Sequence, residues 1–284
     1  MELAGRLAVV TGGGSGMGRE LVVQLATAGC DVATCDVHEP SLVETVQLAS
    51  TAAPDARVTA HQCDVSDEAQ VVAFRDEVVA QHERAHVHLL FNNAGVAGGY
   101  SFVSGDRAEW DRTFAICWGG VYHCSRAFLP LLIASDAGYI VNTSSVNGFW
   151  AALGPDVPHS AYSTAKFAVK GFSESLLTDL RLNAPHVKVA VVMPGHVGTG
   201  IVANTARVLT DEAAGESLRE FSDAFSAKAP VSASEAATII LDGVRNDEWR
   251  ILVGDDARAL DEAVRADPLA VYGGDGLALR SITG

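Results

Sequence analysis

Leu7-Ala8-Val9-Val10-Thr11-Gly12-Gly13-Gly14-Ser15-Gly16-Met17-Gly18 decides the fold of this chain. Its first four residues are a short, wholly apolar, β-branched-rich run, the pattern of a strand buried on both faces in a parallel sheet. A glycine-rich turn follows at once, and an apolar helix is expected over 17–28, stopped by Gly29. Strand, glycine loop and helix in this order form the setting in which backbone N–H groups and a helix N-terminus bind a pyrophosphate. Gly12, Gly14, Ser15, Gly16, Met17 and Gly18 are the candidate contacts, glycine being suited because a Cβ would hold the phosphates away. A merely flexible loop is the alternative, and the placement between strand and helix weighs against it.

The next strand is expected over 31–36 and closes on Asp36, about twenty residues beyond the loop. A carboxylate there accepts hydrogen bonds from both ribose hydroxyls of NAD and repels the 2′-phosphate of NADP. Neither Ser15 nor Val37 offers that phosphate what an arginine would. An aspartate that merely closes a turn is the competing possibility.

Outward from this unit the alternation continues: helix 39–52, strand 58–63, a helix capped by Ser66 to about 83, strand 87–91, helix 106–133, strand 139–143, helix 160–182 and strand 187–192. Residues 200–228 are helical but poorly patterned, as a substrate lid is. Helix 234–244, strand 250–253 and helix 256–266 complete the pattern. It predicts an α/β fold: a doubly wound, seven-stranded parallel sheet with helices on both faces, a Rossmann fold built as a single domain over 1–284. Residues 255–284 form a C-terminal extension. Chemistry is expected at the carboxyl ends of the strands, where the glycine loop, Asp36, Asn92, Ser145 and Pro194 all fall.

Tyr162 and Lys166, four apart, share one face of their helix. A phenol has a pKa of about 10. An ammonium about 4 Å away, at an effective dielectric of about 20, favours the phenolate by about 4 kcal/mol. That brings the phenol to roughly 7, low enough to exchange a proton with an alcohol or carbonyl oxygen. A half-buried tyrosine beside a solvated lysine is the plainer alternative. Lysines are few, however, and none precedes Lys166.

Bulk composition bounds the partners. The chain of 284 residues is 48% hydrophobic and 19% charged with a net charge of −15, which disfavours nucleic acid and anionic membranes as partners. No apolar run reaches membrane-spanning length, and the start is too polar for a signal peptide. Five cysteines, Cys30, Cys35, Cys63, Cys117 and Cys124, show no C-x-x-C spacing, which fits reduced thiols and a cytoplasmic location. His86 and His88 point to one side of a strand without a third ligand, so no metal site is expected.

Together the T-G-x-x-x-G-x-G loop at Thr11 to Gly18, the N-N-A-G stretch at Asn92 to Gly95, the serine strand end, Y-x-x-x-K and the P-G turn at Pro194 resemble the short-chain dehydrogenase/reductase family over about 3–254. The resemblance implies roles. Tyr162 is the acid/base, Lys166 lowers its pKa and holds the nicotinamide ribose, and Ser145 hydrogen-bonds the substrate oxygen. Asp64 and Val65 contact adenine; Asn93, Ala94 and Gly95 line the cofactor cleft; Pro194, Gly195, Val197 and Thr199 border the nicotinamide. It also implies a homotetramer or homodimer. Two departures stand out. The interval from Ser145 to Tyr162 is longer than usual, reading as a lengthened loop beside the site. Cys117 occupies the position where the family usually has asparagine in its proton relay; its main-chain carbonyl remains, the side-chain amide does not.

The expected reaction is NAD(H)-dependent interconversion of a secondary alcohol and a ketone, with a small-molecule substrate. Tyr100, Phe102, Asn147, Phe149, Trp150, Leu153, His196, Ile201 and Val202 are the candidate pocket residues; Asn147, Trp150, Leu153, His196 and Val202 are taken as substrate contacts. They are largely apolar, so a hydrophobic substrate is expected. Phe149 and Trp150 could instead pack the loop, and His196 could instead shape its turn. A 3-oxoacyl thioester reductase of the same fold and a catalytically silent NAD-binding sensor are the two alternatives, the second resting on Cys117 alone.

Overall fold

Short apolar runs and the helices between them build one twisted sheet. The computed structural model describes residues 1–153, 157–210, 216–269 and 272. In chain order the elements are β1 (Leu7–Thr11), α1 (Gly16–Thr27), β2 (Asp31–Asp36), α2 (Glu39–Ala52), β3 (Val58–Gln62), α3 (Glu68–His82) and β4 (Leu89–Asn92). There follow α4 (Arg107–Phe114), a π turn (Ala115–Gly119), α5 (Gly120–Ile133), β5 (Gly138–Thr143), α6 (Ser160–Asn183) and β6 (Val187–Pro194). The rest is β7 (Val197–Gly198), α7 (Ile201–Thr210), α8 (Glu216–Ala227), β8 (Val231–Ser232), α9 (Ala233–Arg245), β9 (Arg250–Val253) and α10 (Asp255–Ala266).

The main sheet has seven strands in the order β3-β2-β1-β4-β5-β6-β9, every pair parallel. Strand order reverses between β1 and β4, so the connections leave that point in opposite directions and a crevice opens at the strand ends. Period-two alternation sends each strand into two cores. Leu7 and Val9 of β1 join a cluster packed on α3, α5 and α6, whereas Ala8 and Val10 join one packed on α1 and α9. Each fully buried aliphatic side chain in these layers contributes about 1.5–3 kcal/mol.

The structure departs locally from the sequence expectations. Asp67, not Ser66, caps α3, accepting from the N–H groups of Ala69 and Gln70. Ser66 is drawn the other way, donating its hydroxyl to Asp64 Oδ1 at 2.7 Å. The single helix expected over 106–133 widens into the π turn at Ala115–Gly119. The lid region forms α7 and α8, with 211–215 outside the described residues, and is joined to the body by an additional parallel pair, β7 with β8. Among the described residues no helix is long and apolar enough to cross a membrane.

All five cysteines are free and buried. Burial pushes the Cys30 thiol up to about 12 and raises Cys117 and Cys124 as well. His88 serves the sheet: its Nδ1 accepts from the Leu7 N–H at 3.1 Å, and its Nε2 lies 3.3 Å from Asp136 Oδ1. Among the described residues no group of three or more His, Cys, Asp or Glu is arranged to hold a metal ion.

Burial also lowers His82 and His88 from 6.5 to about 4. An unfolded imidazole takes up its proton as pH falls through about 6.5, whereas the folded ones do so only near 4. Stability should therefore fall between those values, by on the order of 1–3 kcal/mol per histidine. Urea midpoints measured at about pH 7 and pH 5 should differ less in His82→Phe than in wild type; equal differences would refute this account.

Candidate active site and nucleotide cleft

The crevice begins where β1 and β4 end. Thr11 Oγ1 donates to the Phe91 carbonyl at 3.3 Å and accepts from the N–H groups of Asn93 and Ala94 at 3.0 and 3.1 Å. Asn93 returns its amide N–H to the Thr11 carbonyl at 3.1 Å. The two strand ends are thus clasped together. A Cβ on Gly12 would stand 2.8 Å from Ala94 Cα, and one on Gly18 only 2.0 Å from the Gly12 carbonyl oxygen. The glycines therefore serve the packing of strand, loop and helix as well as the approach of a phosphate.

The carbonyls of Gly13 and Gly14 accept bonds from Thr45 Oγ1 and Arg19 Nη2 at 2.9 and 2.8 Å. Gly14 N–H donates to Asp36 Oδ2 at 3.1 Å, fixing the carboxylate at the end of β2. The N-cap of α1, Ser15, makes no side-chain cap, and the first turn holds no acidic residue. An uncapped helix N-terminus is an anion site. One cleft is lined by Gly12, Ser15, Gly16, Met17, Asp36, Val37, Asp64, Val65, Asn93, Ala94, Gly95 and Thr199. These residues fit a dinucleotide. Asp64 is held below the ordinary carboxylate range: burial alone would raise it, but Arg112 and Ser66 bond to it and outweigh that. Arg112 also lines the cleft, a residue the sequence did not single out.

At the end of β5, Ser144 and Ser145 diverge. Ser144 Oγ donates to the Lys166 carbonyl at 2.7 Å, which leaves it structural. Ser145 accepts from Asn147 N–H at 3.2 Å and stands close enough to the Tyr162 hydroxyl to favour its ionised form. Lys166 Nζ donates to the Thr143 carbonyl at 2.8 Å and lies 5.3 Å from the centre of the Tyr162 ring. Serine, tyrosine and lysine therefore meet at the rim of the cleft.

The electrostatics reverse the simple two-charge expectation. Burial raises the Tyr162 pKa above its ordinary value, Cys117 adds to the rise, and the nearby Ser145 hydroxyl only partly opposes it. Burial lowers Lys166. Desolvation governs both groups, and it lies outside a dielectric-20 estimate of an exposed pair.

His159 went unnoticed in the sequence. It is buried, and its ring is sandwiched between Tyr162, at 4.6 Å and 17°, and Tyr100, at 5.0 Å and 18°. Burial holds it at about 4 against a small opposing effect of the Ala97 carbonyl, so it is neutral at pH 7. Neither ring nitrogen has a partner at hydrogen-bonding geometry. No local pattern could have marked it, because the stack depends on Tyr100 arriving from another loop.

Cys117 sits at the centre of the π turn, a deformation common at functional sites. Its thiol donates to the Val96 carbonyl at 3.2 Å, so the side chain ties the helix to the loop after β4. A Cβ placed on Gly95 would lie 3.6 Å from both Cys117 Sγ and Lys166 Nζ, which puts thiol and ammonium on the same small space.

The substrate candidates separate. Val202 lines a groove under α7 with Ala97, Tyr100 and Leu209. Trp150 is wholly buried with Met193, Ala257 and Leu260, packing the loop onto α10. Asn147 spends its amide on the carbonyls of Trp150 and Ala152. His196 turns to the lid, its Nε2 2.8 Å from the Phe225 carbonyl. His196 N–H donates to Asp256 at 2.6 Å, Gly195 N–H donates to the Val253 carbonyl at 3.0 Å, and Val197 enters the core beside α9. Leu153 is half-buried at the edge of the lengthened loop, of which 154–156 lie outside the described residues. Of the C-terminal extension, Tyr272 accepts a bond from Ala151 N–H at 3.0 Å; Leu277, Leu279 and Ile282 lie outside the described residues.

The fold and this constellation match the short chain dehydrogenase family model over residues 6–209, and the chain belongs to the short-chain dehydrogenase/reductase family. Among its relatives, SadH of Mycobacterium tuberculosis, which carries an oxidoreductase name, is 36% identical across 92% of this chain and 90% of its own. Levodione reductase of Leifsonia aquatica is 31% identical across 91% of each. A Burkholderia phymatum short-chain dehydrogenase/reductase crystallised in complex with NAD superposes with a TM-score of 0.80 at 30% identity, covering 96% of this chain and 94% of that one. A metagenomic member in complex with NADP gives 0.61 at 31% identity, covering 69% and 84%.

The thiol contact makes Cys117 testable. Cys117→Ala should cost about 1–2 kcal/mol, read from denaturant midpoints, because a buried acceptor and a small cavity are left behind. Cys117→Asn should change turnover by less than about tenfold; a gain of orders of magnitude would show that the cysteine impairs proton transfer.

Proposed function

We propose that this oxidoreductase interconverts a hydrophobic secondary alcohol and its ketone, with NAD(H) as cofactor. The observation that carries it is the placing of Ser145 beside Tyr162 next to the nucleotide cleft, with Lys166 buried behind them and anchored on the Thr143 carbonyl. When bound, the oxidised nicotinamide would take the hydride, with its electron pair, from the carbinol carbon. Tyr162 takes the hydroxyl proton, and Ser145 and Tyr162 hold the oxygen as its charge develops. Lys166, anchored on the Thr143 carbonyl, keeps further N–H donors for the ribose hydroxyls.

Asp36 supports NAD over NADP, since its carboxylate is fixed where the adenosine ribose of a bound dinucleotide would lie. The NAD-bound relative is consistent with that preference, and the NADP-bound one shows that the family accommodates both. The groove beside Tyr100, Val202 and Leu209 supports an apolar substrate, and the ketone named for levodione reductase supports a carbonyl of that class.

Purified protein should oxidise members of a panel of apolar secondary alcohols with NAD faster than with NADP, and Tyr162→Phe should lose at least about 10²–10⁴-fold in kcat/KM. Absence of turnover with either cofactor on every alcohol and ketone tested would end this proposal.

With cofactor and alcohol both far below saturation the rate reports the free enzyme, and the raised Tyr162 pKa sets its pH dependence. Oxidation needs the phenolate, which is scarce below the raised value, so log kcat/KM for the alcohol should climb by about one per pH unit across pH 7–9. Reduction uses the phenol, which is fully populated there, and should stay flat. A plateau in the oxidation limb near pH 7 would mean that the free enzyme holds Tyr162 ionised.

A further inference from the structure

Arg207 lies on α7, the helix at the mouth of the cleft, and lines the same space as Gly12, Ser15, Gly16 and Thr199. It is held in place. Its Nη2 donates to Asn204 Oδ1 at 2.7 Å, and Asn204 Nδ2 donates to Ser15 Oγ at 2.8 Å. Ser15 is the N-cap of α1, and its oxygen accepts from Asn204 instead of capping its own helix. The first bond lies within α7 and the second crosses from the lid to the loop. Ser15 keeps its proton to donate, and Arg207 keeps most of its five N–H donors.

Two features make this arrangement unusual. Arg112, the other arginine on the cleft wall, is consumed by Asp64 at 2.6 Å, whereas the bond partner of Arg207 is a neutral amide. The guanidinium is also tethered to a helix N-terminus, where the macrodipole is positive and a cation is disfavoured. Two positive ends aimed at one space become favourable only when an anion lies between them.

We propose that Arg207 is a phosphate-binding residue carried by the lid, closing on the dinucleotide pyrophosphate beside the glycine loop. The inference rests on the dinucleotide reading above. It adds a coupling: Thr205, two residues earlier on α7, accepts the Ala97 N–H at 2.8 Å on the substrate side. A phosphate that draws α7 down thereby also seats the wall of the substrate groove.

The test is binding, free of turnover. Dissociation constants of NADH, NADPH, ADP-ribose and adenosine are measured by calorimetry for wild type, Arg207→Gln and Arg207→Lys. Arg207→Gln should weaken NADH, NADPH and ADP-ribose alike, by about 10- to 100-fold, with a smaller loss in Arg207→Lys. Adenosine, which has no phosphate, should bind both variants as it binds wild type. Undiminished NADH binding in Arg207→Gln overturns the inference, and an equal loss for adenosine overturns it in favour of a purely structural role. A loss confined to NADPH reassigns Arg207 to the 2′-phosphate and overturns the pyrophosphate contact. Wild-type protein that binds neither NADH nor NADPH brings down the dinucleotide reading itself, a result distinct from all of these.

Discussion

The clasp between Thr11 and Asn93 is the constraint on which the rest depends. One hydroxyl donates once and accepts twice, and one amide answers it, at the place where the sheet reverses strand order. These groups are largely withdrawn from water, where each bond left unmade costs about 1–3 kcal/mol. The clasp holds the end of β1 against the end of β4, and the glycines then allow α1 to approach within a distance no side chain would permit. The nucleotide crevice is the gap that remains outside this joint. Its walls are rigid because they are the sheet itself.

Behind the crevice the governing effect is removal of water. Tyr162, Lys166, His159 and Cys117 are all buried, and burial displaces each of them toward its uncharged form. The same dryness that makes the phenol reluctant to ionise strengthens every dipole aimed at the reacting oxygen. A polar group in such a place must be positioned by its neighbours. Thr143 holds the ammonium, Ser145 meets the phenol, and two flat rings fix the imidazole between them.

Much of this was legible from the residues. The bounds of β2 and β9 coincide with the expected ones because short apolar runs beside turn residues leave little freedom, and those of α2 because Pro40 opens the helix and Pro54 follows its end. What escaped depended on distant partners. Ser66 and Asp67 are both good caps, and only the pull of Asp64 and Arg112 on Ser66 decides between them. The π turn at Cys117 has no composition signal, since it follows from how the helix meets Val96. Trp150 seemed poised for substrate because its loop is near the site, yet α10, far along the chain, covers it. The Tyr162 shift runs against the two-charge expectation for a similar reason: spacing reveals a neighbouring charge but not the depth at which both groups sit. Asn204 and Arg207 lie on an amphipathic helix, but the sequence does not show that its face meets Ser15, 189 residues from Asn204.

The five native thiols, each free, buried and off the surface, have a practical consequence. Alkylation needs an accessible thiolate, and these side chains offer none in the folded state. A single cysteine introduced at an exposed position, such as Val103 in the segment before α4, would therefore react alone. A fluorophore or spin label could be attached to otherwise unaltered protein, giving a direct optical or magnetic view of that segment while a ligand enters.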